Sequence, residues 1–125
     1  MGKPRILVVD DEKHIRMLYQ EELQVEGYDV AVSDGEEPIL AVVDRERPAI
    51  VVLDIKLGVN RSGLDLLQEI RSRYTELPVI LSTAYDSFQH DLKSIAADYY
   101  VVKSVDLGEL KSKVSLAMGK ATAGA

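Results

Sequence analysis

The strongest constraint on the fold is a regular alternation of short apolar runs with segments of helical periodicity. Five runs rich in β-branched or aromatic residues are spaced along the chain: Ile6–Val9, Tyr28–Val32, Ala49–Leu53, Val79–Leu81 and Tyr99–Val102. Four of them are continuously apolar, as expected for strands that are covered on both faces. The Tyr28–Val32 run alternates more and favours an edge or flanking strand.

The segments between these runs have the spacing of amphipathic helices. In the first segment, Ile15, Leu18, Tyr19 and Leu23 fall on one side of a helix, and Gly27 supplies its stop. The other predicted helices are Glu36–Arg47, Leu64–Tyr74, Ser87–Ala96 and Leu107–Met118.

This alternation predicts an α/β fold in which a doubly wound, five-stranded parallel sheet is flanked by five helices. The chain has 125 residues, which suits one domain. We place that domain at residues 4–118. The remaining residues 119–125, "GKATAGA", are small and polar, and indicate a flexible tail or the start of a linker.

Composition excludes several classes of function. The formal net charge is −6 and the sequence pI is about 4.9, so direct nucleic acid binding is not expected. The chain has no cysteine, which excludes disulfides and thiolate metal sites. No apolar stretch approaches the ~18 residues of a membrane span, and no signal peptide is recognisable at the N-terminus. A cytoplasmic protein without membrane contact is the simplest expectation.

Polar residues follow the strands at the points where they end. In doubly wound sheets, ligands bind outside the carboxyl ends of the strands. Adjacent to those ends stand three acids, two hydroxyls and one lysine, namely Asp10, Asp11, Asp54, Ser82, Thr83 and Lys103. They are therefore expected to converge at one edge of the sheet.

The residue types at this edge indicate a particular chemistry. Three close carboxylates do not all stay ionised unless a cation joins them, and all-oxygen ligands favour Mg²⁺. Lys103 and a hydroxyl add a positive charge and a donor, which suits an oxyanion. Together these parts predict phosphoryl transfer to a carboxylate nucleophile, with the Asp10–Asp11 pair as the metal seat and Asp54 as the acceptor.

The chain resembles the receiver domain of two-component response regulators over about residues 4–118. The resemblance rests on "VVDDE", "VVLDIKL", "LSTAY" and "ADYYVVK", in the family's order and near its spacing. It implies a CheY-like, flavodoxin-like fold with strand order 2-1-3-4-5. It also implies that Asp54 accepts a phosphoryl group from a histidine kinase or a small phosphodonor. Such a domain is a phosphoacceptor that catalyses only its own phosphorylation and dephosphorylation.

The resemblance also implies a role for individual residues. Asp11 would ligate Mg²⁺ directly and Asp10 through water, and Asp54 and the backbone carbonyl of Lys56 would complete the protein ligands. Lys103 would pair with a phosphoryl oxygen.

Further roles concern switching and the lifetime of the phosphoryl group. Thr83 would bond a phosphoryl oxygen and act as a switch together with Tyr100. Lys56 and Tyr85 would flank the path of the attacking water and tune its access. A downstream output domain, a partner protein or a second copy of the chain would read the face formed by the Ser87–Ala96 helix, the fifth strand and the Leu107–Met118 helix.

Three positions depart from the family's pattern. Ser104 stands where proline usually follows the lysine, so we expect a trans Lys103–Ser104 bond. Gly58 replaces a proline in the loop after Asp54, and this loop is one residue longer before Gly63. These departures affect loop geometry and phosphoryl lifetime, and they remove no catalytic group.

Alternative interpretations remain for several residues. Asp10 and Asp11 could be N-caps of the first helix, Ser82 competes with Thr83 as the active hydroxyl, and Tyr99 lies beside Tyr100. Two alternative functions are a haloacid-dehalogenase-like phosphatase and a degenerate receiver that only binds partners. The former family expects an acid where this chain has Lys56, and the complete set of site residues argues against the latter.

Overall fold

A computed structural model describes residues 2–57, 62–83, 97–103 and 107–123, with only the backbone for Thr83 and residues 120–123. Five strands form one parallel sheet in the order β2-β1-β3-β4-β5. The strands are β1 (Arg5–Val9), β2 (Asp29–Ser33), β3 (Ile50–Asp54), β4 (Val79–Thr83) and β5 (Tyr99–Val102). The helices are α1 (Lys13–Val25), α2 (Ile39–Glu46), α3 (Gly63–Arg73) and α4 (Gly108–Ala123).

The predicted doubly wound α/β fold and its strand order are confirmed. β2 lies at an edge of the sheet, as its alternating pattern indicated. Gly27 has a φ of 99°, a left-handed conformation that suits glycine, and it follows directly after the C-cap of α1.

Alternating side chains of the strands build two separate hydrophobic clusters. Residues such as Leu7, Val51 and Leu81 pack with α2 and α3 on what we call the α2/α3 face. Their neighbours Ile6, Val52 and Ile80 pack with α1 and α4 on the opposite α1/α4 face. Because the central strands are covered on both faces, their buried positions are apolar up to the polar residues near their carboxyl ends.

The helices differ from the prediction in number and bounds. The described residues contain four helices and not five, and the fifth prediction, Ser87–Ala96, lies outside the described residues. α2 begins later than predicted, at Ile39, because Pro38 adopts a non-helical conformation as its N-cap. α4 continues through Ala123 because its last turn contains good helix formers. The proposed division into a domain at 4–118 and a tail stays a prediction.

A half-buried polar contact aligns the starts of β4 and β5. Arg71 at the end of α3 donates to Asp98 Oδ2 over 2.7 Å and to the carbonyl oxygen of Leu77 over 2.5 Å. Asp98 Oδ2 also accepts the backbone N–H of Val79 over 2.9 Å. The contact lies at the amino ends of these strands, opposite the edge where Asp54 lies. Among the described residues, no helix is sufficiently long and apolar to cross a membrane.

Candidate functional site

The carboxyl edge of the sheet holds the buried polar side chains of the described residues. They are Asp10, Asp54 and Ser82, which are 2%, 4% and 1% exposed. Asp54 and Ser82 are direct partners in the parallel register of β3 and β4. Val52 and Ile80, which lie two residues before them, pack on the α1/α4 face. Because side chains alternate along a strand, Asp54 and Ser82 point to the same face.

Lys103 joins the two buried carboxylates. Its Nζ lies 2.8 Å from Asp10 Oδ2 and 3.2 Å from Asp54 Oδ2. The Lys103 side chain is 13% exposed, so little water screens these ion pairs. Burial lowers the pKa of Lys103, but its bonds to Asp10 and Asp54 outweigh burial and raise the pKa above its ordinary value. The lysine is therefore a permanent cation at neutral pH.

The surroundings of Asp54 disfavour its ionised form. Burial and then the nearby charge of Asp10 raise its pKa to about 6, although Lys103 and the backbone N–H of Lys56 oppose the rise. One ammonium thus does not fully compensate two buried carboxylates. A further cation at this edge would relieve the imbalance.

The chain after β1 turns sharply around Asp10. Asp10 Oδ1 accepts the backbone N–H of Glu12 over 2.9 Å, and the carbonyl oxygen of Asp10 accepts from Arg16 over 2.7 Å. The N-cap of α1 is Glu12, whose side chain makes no capping hydrogen bond. The alternative in which Asp10 or Asp11 is the N-cap of α1 is therefore wrong, and the Asp10 carboxylate instead binds the Glu12 N–H and Lys103.

Three consecutive acids form a group that could hold a metal ion. Asp10, Asp11 and Glu12 each place one carboxylate oxygen within 4.8 Å of the others. Glu12 Oε1 also lies 3.6 Å from Lys103 Nζ. Sequence reasoning missed Glu12, although it directly follows the acidic pair. Within the described residues Asp54 is not part of this group of three, and Lys103 connects it to them.

The segment after Asp54 folds back against its own strand. The Lys56 N–H lies 3.4 Å from Asp54 Oδ1, and Lys56 forms an antiparallel bridge with Ser62. The backbone N–H of Gly63 donates to the carbonyl oxygen of Ile55 over 2.5 Å. A Cβ atom on Gly63 would overlap the backbone carbonyl of Asp54. Glycine is therefore required for this close approach.

The structure describes the remaining predicted site residues only in part. The backbone of Thr83 ends β4, and Tyr100 is half-buried against the cluster on the α2/α3 face. Tyr85, Gly58 and Ser104 lie outside the described residues. The predictions of lifetime tuning by Tyr85, of a changed Gly58 loop and of a trans Lys103–Ser104 bond are therefore not tested.

A buried hydroxyl pair lies beside the acids and was not predicted. Tyr19 of α1 and Ser82 of β4 approach within 3.2 Å, oxygen to oxygen. Sequence reasoning placed Tyr19 only on the core-facing side of α1, and its ring does lie there with 2% exposure. The signal that could have identified the pair is a tyrosine at a core position opposite a serine in an apolar strand.

Comparison with known proteins identifies the family. The family model of the response regulator receiver domain matches residues 6–115, which is most of the chain. The chain belongs to the response regulator receiver family. The receiver domain is 36% identical over 117 residues to the probable transcriptional regulator ycf27 of Porphyridium aerugineum, covering 91% of this chain and 48% of that protein. It thus spans about half the length of the curated relatives it matches.

Solved structures share the fold of this receiver domain. The response regulator TrrA of Thermotoga maritima, crystallised in complex with Mg²⁺-BeF, is 45% identical with a TM-score of 0.86, covering 91% of this chain and 98% of that chain. TrrA in complex with the histidine kinase ThkA matches at 42% identity with a TM-score of 0.79, covering 92% and 98%. The receiver domain of NtrX from Brucella abortus matches at 32% identity with a TM-score of 0.81, covering 91% and 98%.

The close approach of Gly63 predicts a severe effect of adding one methyl group. In Gly63→Ala, the new Cβ must displace the Asp54 carbonyl or the start of α3. We expect a loss of about 3 kcal/mol in the free energy of unfolding, measured by urea denaturation. The matched control is Gly119→Ala in α4, where nothing lies within 4 Å. The control should gain about 0.5–1 kcal/mol, and equal effects at the two glycines would contradict the overlap.

The raised pKa of Asp54 predicts how stability depends on pH. The folded protein holds the Asp54 proton more tightly than the unfolded chain, whose aspartates titrate near about 4. The contribution of this proton to the free energy of unfolding is therefore fully present below about pH 4. It is lost as pH rises through about 6. Asp54→Asn removes this dependence.

The measurement is made in the presence of a metal chelator. The free energy of unfolding of Asp54→Asn minus that of the parent should rise by about 3 kcal/mol between about pH 4 and about pH 8. Urea titrations at several pH values measure this difference. A difference that does not change with pH would show that Asp54 is not desolvated as described.

Proposed function

We propose that this receiver domain accepts a phosphoryl group on Asp54 in a Mg²⁺-dependent reaction and thereby switches the binding of a partner. The observation that carries the proposal is the ion pairing of one buried lysine with both Asp10 and Asp54 at the carboxyl edge of the sheet. Membership of the receiver family makes it a signalling domain. We further propose that it catalyses only its own phosphorylation and dephosphorylation.

The acidic edge fits a hard divalent cation. Asp10 and Asp11 supply carboxylate oxygens from one turn of backbone, and burial together with the nearby charge of Asp10 raises the pKa of Asp54. We assign Asp11 as a direct ligand, Asp10 as a ligand through water, and Asp54 and the Lys56 carbonyl as the remaining protein ligands. Mg²⁺, when bound there, supplies positive charge that neutralises phosphoryl oxygens.

The transfer itself needs little covalent chemistry from the protein. An Asp54 carboxylate oxygen forms a bond to phosphorus while the donor's bond to phosphorus breaks, and the electron pair of that bond leaves with the donor. Lys103 already lies 3.2 Å from Asp54 Oδ2, and it is placed to pair with an oxygen of the incoming group. The Thr83 hydroxyl is assigned to a second phosphoryl oxygen. Positioning and charge compensation therefore account for the reaction.

Lifetime and output depend on residues around this centre. We propose that Lys56 and Tyr85 limit the access of water to the phosphoryl group. We also propose that Thr83 moves toward the new charge and that Tyr100 follows into the vacated space. A partner, an output domain or a second copy then reads the face of residues 87–96, β5 and α4.

The phosphodonor is proposed to be a cognate histidine kinase. TrrA, the 42% identical relative, was crystallised in complex with the histidine kinase ThkA. The curated relatives are described as probable transcriptional regulators and are about twice as long as this chain. An output domain that acts in transcription is therefore the partner these relatives favour.

The nucleophile is tested by Asp54→Asn, which keeps the shape of the side chain but removes the attacking carboxylate. After incubation with acetyl phosphate and Mg²⁺, intact-mass spectrometry should show a phosphoryl adduct on the parent and none on the variant. Asp34→Asn is the matched control, because Asp34 is an exposed acid after β2 and should keep the adduct. Asp11→Asn should weaken Mg²⁺ binding in a metal titration.

The same experiment separates the alternatives. Incorporation into Asp54→Asn at the rate of the parent would refute Asp54 as the acceptor. Turnover of phosphate esters would favour a phosphatase, and no adduct on the folded parent would favour a receiver that only binds partners.

The proposed output route predicts coupling between Thr83 and Tyr100. If the ring follows the hydroxyl, Thr83→Ala and Tyr100→Ala should have non-additive effects on phosphorylation-dependent partner binding or dimerisation. The measurement is a double-mutant cycle of the binding free energy with and without phosphorylation. Additive effects would mean that the two residues act separately and that another face carries the signal.

A further inference from the structure

The buried hydroxyl pair of Tyr19 and Ser82 has one hydrogen more than its mutual contact can use. The two oxygens lie 3.2 Å apart, and either hydroxyl could be the donor. Both residues are almost fully buried, at 2% and 1% exposure. One O–H is consumed between them, so the second O–H must find an acceptor away from water.

The acceptors near this pair are charged. Ser82 is the direct register partner of Asp54 across adjacent strands, which lie ~4.8 Å apart in a parallel sheet. The Tyr19 phenol is within electrostatic reach of Asp10, Asp54 and Lys103. The spare hydrogen therefore lies at the edge of the site already described.

The direction of the contact follows from the acidity of the two groups. A phenol is a stronger donor than an aliphatic alcohol, so Tyr19 is the favoured donor and Ser82 Oγ the favoured acceptor. Burial raises the pKa of Tyr19, while the Ser82 bond and Lys103 offset part of the rise, so the phenol keeps its proton at neutral pH. With its oxygen occupied by Tyr19, Ser82 has its own hydrogen left to donate toward Asp54.

We propose that Ser82, oriented by Tyr19, donates a hydrogen bond to an oxygen of the phosphorylated Asp54 side chain and stabilises the charge that develops during transfer. This inference rests on the proposed function and deepens it. No proton is transferred, since both hydroxyls keep their hydrogens throughout. Ser82 is a donor beside the reacting group, and Tyr19 is a positioning residue that acts through Ser82. This donor is separate from the Thr83 hydroxyl.

A purely structural role explains the pair less well. The positions around both side chains on the α1/α4 face are apolar, as at Val8, Val52 and Ile80. Two apolar side chains would fill this space without burying two hydroxyls, which cost free energy unless both are fully bonded. The pair lies at the carboxyl edge of the sheet, where a spare donor has the carboxylate of Asp54 as a neighbour.

The test measures the rate of phosphorylation by acetyl phosphate at saturating Mg²⁺ in three variants. Ser82→Ala removes the donor and should slow phosphorylation by about tenfold, because bonds to charged groups are strong. Tyr19→Phe keeps the ring and removes only the orienting hydroxyl, so it should slow the reaction by about threefold. The double variant should be no slower than Ser82→Ala, because Tyr19 acts only through Ser82.

Tyr28→Phe is the matched control. Tyr28 is half-buried against the same hydrophobic cluster but lies after α1, away from the carboxyl edge. The Tyr28→Phe variant should be phosphorylated at the rate of the parent. Urea denaturation of all variants shows whether each is folded, and Tyr19→Phe alone carries the test if Ser82→Ala does not fold.

A spectroscopic measurement separates orientation from packing. In the parent, the ring resonances of Tyr19 should shift when beryllium fluoride and Mg²⁺ are added, and this shift should shrink in Ser82→Ala. The inference would be overturned if both single variants were phosphorylated within twofold of the rate of the parent, or if their effects were strictly additive. In either case, phosphorylation of the parent would still support the proposed function. An unphosphorylated, folded parent would overturn both.

Discussion

The site depends on one ammonium group that serves two buried carboxylates. Lys103 Nζ lies 2.8 Å from Asp10 and 3.2 Å from Asp54, at the end of a sheet whose inner positions are otherwise apolar. Without this lysine, two adjacent negative charges would be buried with no counter-charge, which is strongly unfavourable. With it, the compensation is incomplete, and the pKa of Asp54 stays raised. Burial and the charge of Asp10 both disfavour the ionised form of Asp54, so a cation bound at this edge would stabilise that form.

The parallel sheet converts this local electrostatic problem into a defined geometry. Because every strand runs in the same direction, the residues that follow β1, β3 and β5 arrive at one edge. Helices on both faces exclude water from the strands, so the charges at the edge act in a poorly screened environment. The approach of Gly63 to the Asp54 backbone and the contact of Arg71 with Asp98 hold the two ends of this frame in place.

The sequence predicted the larger part of the fold, for identifiable reasons. Continuous apolar runs mark strands that are covered twice, and the acids directly after them mark the edge where ligands bind. The first turn of α2 was predicted less well because Pro38, which suits a helix start, ends up one position before it. The end of α4 was predicted too early because the small and polar residues after Met118 indicated a tail, although an exposed glycine such as Gly119 is tolerated inside a helix.

By itself, the sequence determined the succession of strands and helices along the chain and the residues at each strand end. Hydrophobic periodicity and strand-terminal positions are local properties, and a local pattern is sufficient to reveal them. Only the tertiary structure decided which of those residues share a contact. Lys103 reaches across the sheet to Asp10, Glu12 joins the acidic group, and Tyr19 pairs with Ser82 from a different element. Each of these contacts depends on strand register, on the turn after β1 or on how α1 packs, and these arise from long-range packing that no local pattern encodes.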